Sequence, residues 1–395
     1  MTLRAQLPVH SPLPLAALAA GVRHSLRPEG AAARLESLLR GEFGSAAVML
    51  TDSGTAALAL ALQLAGRERP GPVALPAFCC YDVATAADIA AVPFMLYDVD
   101  PGTLGPDPDS LRHTLTAGAR SVVVAHLFGV PVDMSAVGAL AREVGAVVIE
   151  DAAQAVGARL GGRPAGALGR FGVLSFGRGK GITGGGGGAL LGNERDTAES
   201  LRILDGNLAS GGWGARNLIT SGAQWLLARP AIYGLPSSLP FLQLGQTVYR
   251  PPHAPARPSA VSLGILTHTY AASGEESAVR KAHARRLLEA VHGSTVLRGY
   301  GAPPGMEAGY LRLPVHAAAS VGAAVRSTDA RRLGVWPSYP LALVDLPGFF
   351  ERRVEVSQNY RGARELARGL VTLPTHSRLG PDDLRALERW IAALG

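Results

Sequence analysis

The chain carries 36 arginines and only two lysines, Lys180 and Lys281, and Lys180 stands in the glycine-rich run SFGRGKGITGGGGG (175–188). An amine can do what a guanidinium cannot: it can lose its proton and attack a carbonyl to form a Schiff base. Desolvation in a tight loop lowers a lysine pKa toward that task. A phosphate-cradling P-loop does not fit, because position 174 is Leu where Gly is required and Gly181 follows the lysine in place of Ser or Thr. Two further stretches offer complementary chemistry. TDSGT (51–55) ends one apolar run and opens a helical one. Ser53 and Thr55 can cap that helix and Gly54 admits a close backbone approach, which together suit an anion such as a phosphate. By itself, the same pattern is an ordinary helix cap. EDAAQA (150–155) follows the apolar run AVVI, so Asp151 falls at a strand's carboxyl end, where a buried carboxylate needs a cationic partner. His126 occupies the equivalent place in VVVAHLFG and reads as a hydrogen-bonded core histidine.

The elements that must position these residues alternate simply from about 45 to 195. Apolar runs such as SAAVMLT, PVALPAF, VPFMLYDVD, RSVVVAHLF and AVVIEDAA alternate with helical segments such as GTAALALALQLAG and DMSAVGALAREVG. FGVLSF and GGALLGN add two strands around the glycine loop. This alternation predicts a mostly parallel sheet covered by helices on both faces. Ligands of such sheets bind beyond the carboxyl ends of the strands, where Ser53, Asp151 and Lys180 all fall. After about 255 the pattern changes to a long helix, short strands and a closing amphipathic helix, an α+β arrangement. The expected division is an N-terminal segment, 1–40, on the domain interface; a large α/β domain, 41–250; and a smaller α+β domain, 251–395. The Pro-rich RPPHAPARPS (250–259) marks the boundary.

Composition narrows the class. The chain has 395 residues, 47% of them hydrophobic and 17% charged, which fits a folded enzyme-like protein. Its formal charge of +7 is dispersed, with no basic run carrying interleaved aromatics, so nucleic acid is not expected as a partner. The two cysteines, Cys79 and Cys80, are adjacent and cannot frame a disulfide scaffold, so a cytoplasmic location is the natural expectation. Residues 13–22 do not read as a signal peptide, and the apolar stretch 223–245 is interrupted by Arg229, Pro230, Pro236 and Pro240. No transmembrane segment is therefore expected. Peripheral membrane contact stays open for the stretch 213–248, beside a protein contact. No metal ligand set is expected.

An anchor for a phosphate, an anion for a ring nitrogen and an amine for an aldehyde are what pyridoxal 5′-phosphate requires. The quoted residues then carry a specific resemblance. SGTAALALAL, DVDPGTLGPDPDSL, HLFGVPVDM, VIEDAAQAVGA and SFGRGK, in this order, resemble the DegT/DnrJ/EryC1/StrS family, and GVWPSYPLAL and LVTLPTHSRLGPDDL extend the likeness toward the C-terminus. The resemblance implies a fold-type-I, pyridoxal-phosphate-dependent aminotransferase acting as a homodimer. It implies amino transfer from glutamate or glutamine to a keto sugar, nucleotide-linked, in cell-surface polysaccharide or secondary-metabolite biosynthesis. It implies that Lys180 bonds the cofactor and shuttles the proton, that Asp151 pairs with the pyridine nitrogen, and that Gln154 lies near the phenolic oxygen. Ser53, Gly54, Thr55 and Ser175 would hold the phosphate.

Three departures stand beside the likeness. The family shows an aromatic two residues after the place of Phe78; that place is Cys80, so either Phe78 or Tyr81 substitutes or the ring lacks an aromatic lid. The aligned 254–262 segment has no Asn to reach a partner's phosphate, leaving Arg257 as its replacement. The glycine loop also lacks the family's Glu. A lysine at position 180 argues against the branch that carries His there and removes a sugar hydroxyl. A regulatory cofactor-binding protein without turnover and a membrane-associated glycan-assembly component are the alternatives.

Overall fold

Strand segments that are apolar on both faces can be buried only between two helical layers, and the computed structural model of the chain, which describes residues 4–27, 30–237, 251–348 and 351–395, has that form. In chain order the first strands are β1 (Ala47–Thr51), β2 (Val73–Pro76), β3 (Phe94–Tyr97), β4 (Ser121–Ala125) and β5 (Val147–Asp151). A short hairpin, β6 (Arg159–Leu160) and β7 (Arg163–Pro164), precedes β8 (Phe171–Ser175) and β9 (Gly188–Gly192). Seven of these form one sheet in the order β1-β9-β8-β5-β4-β2-β3. β3, β2, β4, β5 and β8 run parallel, whereas β9 is antiparallel to both β8 and β1.

The crossovers are α3 (Gly54–Glu68), α4 (Asp82–Ala90), α5 (Pro108–Thr116) and α6 (Met134–Val144), which follow α1 (Leu15–Leu26) and α2 (Ala31–Phe43). Their starts are written in the sequence. Ser53, Asp107 and Asp133 each accept a first-turn N–H at a helix N-cap, and Gly145 closes α6 at φ 67°. Along each strand the side chains alternate between two cores: Val123, Ile149, Phe171 and Val173 pack in one layer, Val122, Val124 and Leu174 in the other.

After α7 (Thr197–Asn207), α8 (Ala215–Leu227) and α9 (Pro230–Ser237) comes α10 (Ala260–Ala271), which packs on α1, α2 and α8. The smaller unit is organised by α11 (Ser273–His292) and a four-stranded antiparallel sheet. That sheet comprises β10 (Leu297–Gly299), β12 (Leu313–Ala317), β13 (Trp336–Pro337) and β14 (Leu370–Leu373), in the order β10-β12-β14-β13. β11 (Met306–Glu307) joins the β6–β7 hairpin, and α12 (Thr328–Arg332), α13 (Arg361–Gly369) and α14 (Pro381–Ala392) complete the unit. The expected boundary at 250/251 adjoins residues 238–250, which lie outside the described residues, as does the end of the apolar 213–248 stretch. Within that stretch α8 and α9 present exposed Ile219, Leu226 and Leu235. Among the described residues no helix is long and apolar enough to cross a membrane.

The N-terminal segment is extended and buried from Ala5 to Pro8 and again at His10 and Ser11. Its backbone ties Ala5 to the Pro230 carbonyl at 2.9 Å and Gln6 to the Arg332 carbonyl at 2.8 Å. It therefore straps helices of both units together.

Candidate active site

Period-two alternation decides which strand-end residues meet. Ile149 and Val173 face the first core layer, so Asp151 and Ser175, two residues further along each strand, emerge on that same face. α3 is packed on this face too. Its N-cap Ser53 accepts the Ala56 N–H at 3.1 Å, and Thr51 fixes the Ser53 carbonyl through a 2.8 Å bond from its Oγ1. A Cβ on Gly54 would stand 2.6 Å from the Ser175 Cβ and 2.9 Å from its Oγ. The helix start and the end of β8 thus touch through a position only glycine can fill. The Ser175 hydroxyl therefore lies against the start of α3, a helix N-terminus of the kind that takes a phosphate. Asp52 beside it is paired with His253 at 3.2 Å.

Lys180 is half-buried in a loop held at many points. The Gly179 N–H donates to Ser11 Oγ at 3.1 Å, linking the loop to the N-terminal strap. Gly181 adopts φ 91°, and a Cβ there would lie 2.5 Å from an Arg280 guanidinium nitrogen. Arg280, fully buried, donates to the His10 carbonyl at 2.7 Å and pairs with Glu276 at 3.1 Å. Farther along, the Phe176 N–H donates to the Gly187 carbonyl across the loop base at 2.8 Å, and the Gly187 N–H donates to the Asp52 carbonyl at 2.7 Å.

Asp151 accepts the Ala153 N–H at 3.0 Å and, among the described residues, has no cation within ion-pair distance. Burial raises its pKa above the ordinary carboxylate value; the Ala153 N–H and then the charge of Lys180 work against that rise. A protonated ring nitrogen would supply the missing cation, so the donor set fits the cofactor expected from the sequence. His126 is not part of this chemistry. Its Nε2 donates to Glu150 at 2.8 Å, its Nδ1 accepts the Val132 N–H at 3.0 Å, and both side chains are fully buried.

Gln154 forms the next wall. Its Oε1 accepts the Phe128 N–H at 3.1 Å and its Nε2 donates to Tyr339 Oη at 2.7 Å. Phe128 sits at φ 56°, an uncommon conformation for so large a residue. The Tyr339 ring lies 5.3 Å from Phe78, 5.5 Å from Phe128 and 6.4 Å from Tyr81, centroid to centroid. Phe78 is thus buried against Tyr339, while the Tyr81 hydroxyl is held by Leu341, accepting its N–H at 2.8 Å. Cys80 is half-buried with its Sγ 3.6 Å from Asp82, and burial pushes its thiol up to about 12. Arg257 pairs within the chain with Asp205 at 2.9 Å. Tyr339, Phe128 and Arg312, whose guanidinium carbon lies 5.3 Å from the centre of the Phe128 ring, were not among the sequence candidates. For Tyr339 the segment VWPSYPL was the available signal.

A model of the DegT/DnrJ/EryC1/StrS aminotransferase family matches residues 26–212. The "L-glutamine:scyllo-inosose aminotransferase" of Streptomyces griseus is 39% identical over 156 residues, 39% of this chain and 37% of that protein. A "Pleiotropic regulatory protein" of Geobacillus stearothermophilus is 35% identical over 153 residues, 38% of this chain and 41% of its own length. The chain therefore spans about two fifths of the length of these curated relatives in its matched stretch. Among solved structures, the aminotransferase TlmJ from Streptoalloteichus hindustanus superposes with a TM-score of 0.75 at 25% identity, covering 99% of this chain and 100% of that one. The architecture is that of fold-type-I enzymes, and the stretch 26–212 is similar to the DegT/DnrJ/EryC1/StrS aminotransferase family.

Proposed function

We propose that the chain is a pyridoxal-phosphate-dependent aminotransferase that moves an amino group from glutamate or glutamine to a keto sugar, nucleotide-linked, working as a cytoplasmic homodimer. The observation that carries the reading is the pair formed by Asp151 and Lys180: a half-buried carboxylate with, among the described residues, no cation within ion-pair distance, in electrostatic reach of the one lysine of the glycine loop. Bound pyridoxal phosphate supplies an aldehyde to hold the amine and a ring that accepts the electrons left when a carbon loses its proton. Around it, the helix start at Ser53, Gly54 and Thr55, with Ser175, would hold the phosphate, and Gln154 would stand near the phenolic oxygen. Asp151 would keep the ring nitrogen protonated. Lys180 Nζ would hold the cofactor's aldehyde and would carry the proton that leaves the donor's α-carbon.

The test is to reduce the cofactor-loaded chain with borohydride and map the label. It is expected on Lys180, and a label elsewhere or none refutes the site. Loaded enzyme mixed with glutamate or glutamine should lose the visible absorbance of the lysine-bound cofactor and then aminate one of a panel of keto sugars. A chain that loads at Lys180 but turns over no amino donor is instead the regulatory type that the Geobacillus relative's name describes.

A further inference from the structure

Acidic residues are missing from one part of the molecule. Residues 1–28 and 206–274 contain no Asp or Glu, and all 31 lie elsewhere in the chain. The helices wholly within these stretches are α1, α8, α9 and α10, and the fold gathers them: α1 and α8 both pack on α10 and touch each other. The approach is close, since a Cβ on Gly264 of α10 would stand 2.8 Å from the Gly21 Cα of α1. Ala17 and Leu18 of α1 meet Val261 and Ile265 of α10 in a small core, with Leu218 and Trp225 of α8 against it.

With those faces turned to α10, the opposite faces of α1 and α8 look outward together, and helical spacing makes each an apolar stripe. On α1 the stripe is Leu15, Ala19, Val22 and Leu26; on α8 it is Ile219, Ala223 and Leu226, both following the i, i+4, i+7 repeat of one helix face. All are exposed, Leu26 by 73% and Ile219 by 71%. Four exposed arginines border them: Arg23 and Arg27 at the end of α1, Arg216 in the first turn of α8 and Arg229 just beyond it. Arg229 lies over the Trp225 ring at 4.6 Å, and among the described residues no carboxylate pairs with any of the four. Trp213, exposed just ahead of α8, adds an indole.

Leucine stripes left in water are unfavourable unless something covers them. The cover must be apolar where the stripes run and negative where the arginines stand. A second copy seated face to face would set the arginines against their own duplicates, with no acid on the surface to receive them. A bilayer with anionic head groups offers both partners at the right depths: acyl chains for the leucines, phosphates for the guanidinium groups, and the boundary level for the indole.

We propose that the outward face of α1 and α8 is a docking surface that seats the chain on an anionic lipid bilayer. This goes beyond the aminotransferase reading and is independent of it, because no residue of the lysine site takes part.

The experiment co-sediments the cofactor-loaded full chain with vesicles of phosphatidylcholine alone, or of phosphatidylcholine and phosphatidylglycerol in equal parts. Binding is expected to the mixed vesicles, with a partition coefficient that falls as salt screens the head groups. Ile219→Gln combined with Leu226→Gln should lower it about 10-fold for each side chain withdrawn from the lipid. Arg23→Gln combined with Arg27→Gln should lower it about 5-fold for each charge removed. All four positions are exposed, so melting temperature and cofactor loading should match the parent. Ile203→Gln is the control: Ile203 is exposed on α7 between Glu199 and Asp205, and its replacement should leave binding unchanged.

The proposal fails if the mixed vesicles retain no more chain than phosphatidylcholine alone. It fails too if the Ile219→Gln, Leu226→Gln chain binds as the parent does, which would make the attraction a matter of the overall charge of +7. A parent dimer that ignores both vesicles, and that light scattering shows dissociating in this variant, overturns it as well; the face is then an interface between copies.

Discussion

Glu150 and Asp151 are neighbours on β5, yet the sheet turns them to opposite faces and the protein treats them oppositely. Glu150 is fully served: one oxygen accepts from His126 at 2.8 Å, the other from the Leu168 and Gly169 N–H groups at 2.7 and 3.0 Å. Burial pushes its pKa up, but His126 and the backbone donors outweigh that, and the carboxyl is held below its ordinary value. Among the described residues Asp151 has one N–H donor and no cation within ion-pair distance, and its pKa is raised by burial. A buried acid whose partners are all internal holds the fold together. One left short of partners on the face that carries Ser175 and the start of α3 is prepared for something that arrives from outside.

The largest effect bears on what arrives. Lys180→Arg keeps the charge beside Asp151 but removes the nucleophilic amine. Turnover should fall by roughly 10⁴-fold, with no borohydride-fixed label on residues 171–195. Substantial amino transfer by this variant would disconnect the loop from the chemistry.

The two carboxylates can then be set against each other. Asp151→Asn should lower turnover by roughly 10³-fold, because the neutral amide no longer holds a ring nitrogen protonated. Its melting temperature should not fall, since burial already disfavours the charge. Glu150→Gln should behave in reverse. The amide replaces one acceptor with a donor facing either His126 or two backbone N–H groups, so stability drops by about 3 kcal/mol in denaturant titration, while the folded fraction still loads cofactor. If both variants act alike, the distinction between the two faces is wrong.

What could be read from the sequence follows the same division. Asp151 and the Ser53–Gly54–Thr55 turn were legible because a period-two strand and a local helix cap fix where each residue emerges, whereas Ser175 followed only from the family resemblance. Gln154 and Lys180 were placed by short motifs whose spacing is local. The far wall was not legible. Tyr339 and Arg312 come from the small unit, whose strands are two to five residues long with weak alternation, and they meet Phe128 and Gln154 across more than 180 positions of chain. The missing aromatic at Cys80 could be seen, but the Tyr339 ring packed against Phe78 could not, because only tertiary packing brings it there.

The strap under the lysine loop gives a smaller, pH-dependent effect. His10 and His376 stack edge to face at 5.8 Å, with Arg378 and Arg280 nearby. Burial, reinforced by these cations, holds His10 down to about 2 and His376 to about 4. The unfolded chain binds these protons near 6.5 and the folded chain does not, so the stabilisation is complete above pH 6.5 and is lost as pH falls below it. Between pH 6.5 and 4 the loss approaches about 1.4 kcal/mol per pH unit for each histidine. Thermal melting across that range should show the slope, and His10→Asn should flatten it by about half. A wild-type chain whose stability is level from pH 7 to 5 would mean the two rings are not held neutral.

The smallest effect tests how the far wall supports the near one. Tyr339→Phe keeps the ring packed on Phe78 and Phe128 but removes the oxygen that accepts from Gln154 at 2.7 Å. One neutral hydrogen bond is worth about 1 kcal/mol, so the stability change should be of that size. Gln154 would still accept the Phe128 N–H, and the left-handed turn at Phe128 should survive. Turnover should therefore fall only about 5-fold, the kinetic equivalent of that one bond. The visible band of the loaded enzyme should shift while Asp151 and Lys180 keep their roles. Combining Tyr339→Phe with Gln154→Ala separates the two possibilities. If Tyr339 acts by orienting Gln154, the double variant is no worse than Gln154→Ala alone; if the losses multiply, the tyrosine hydroxyl meets the ligand independently.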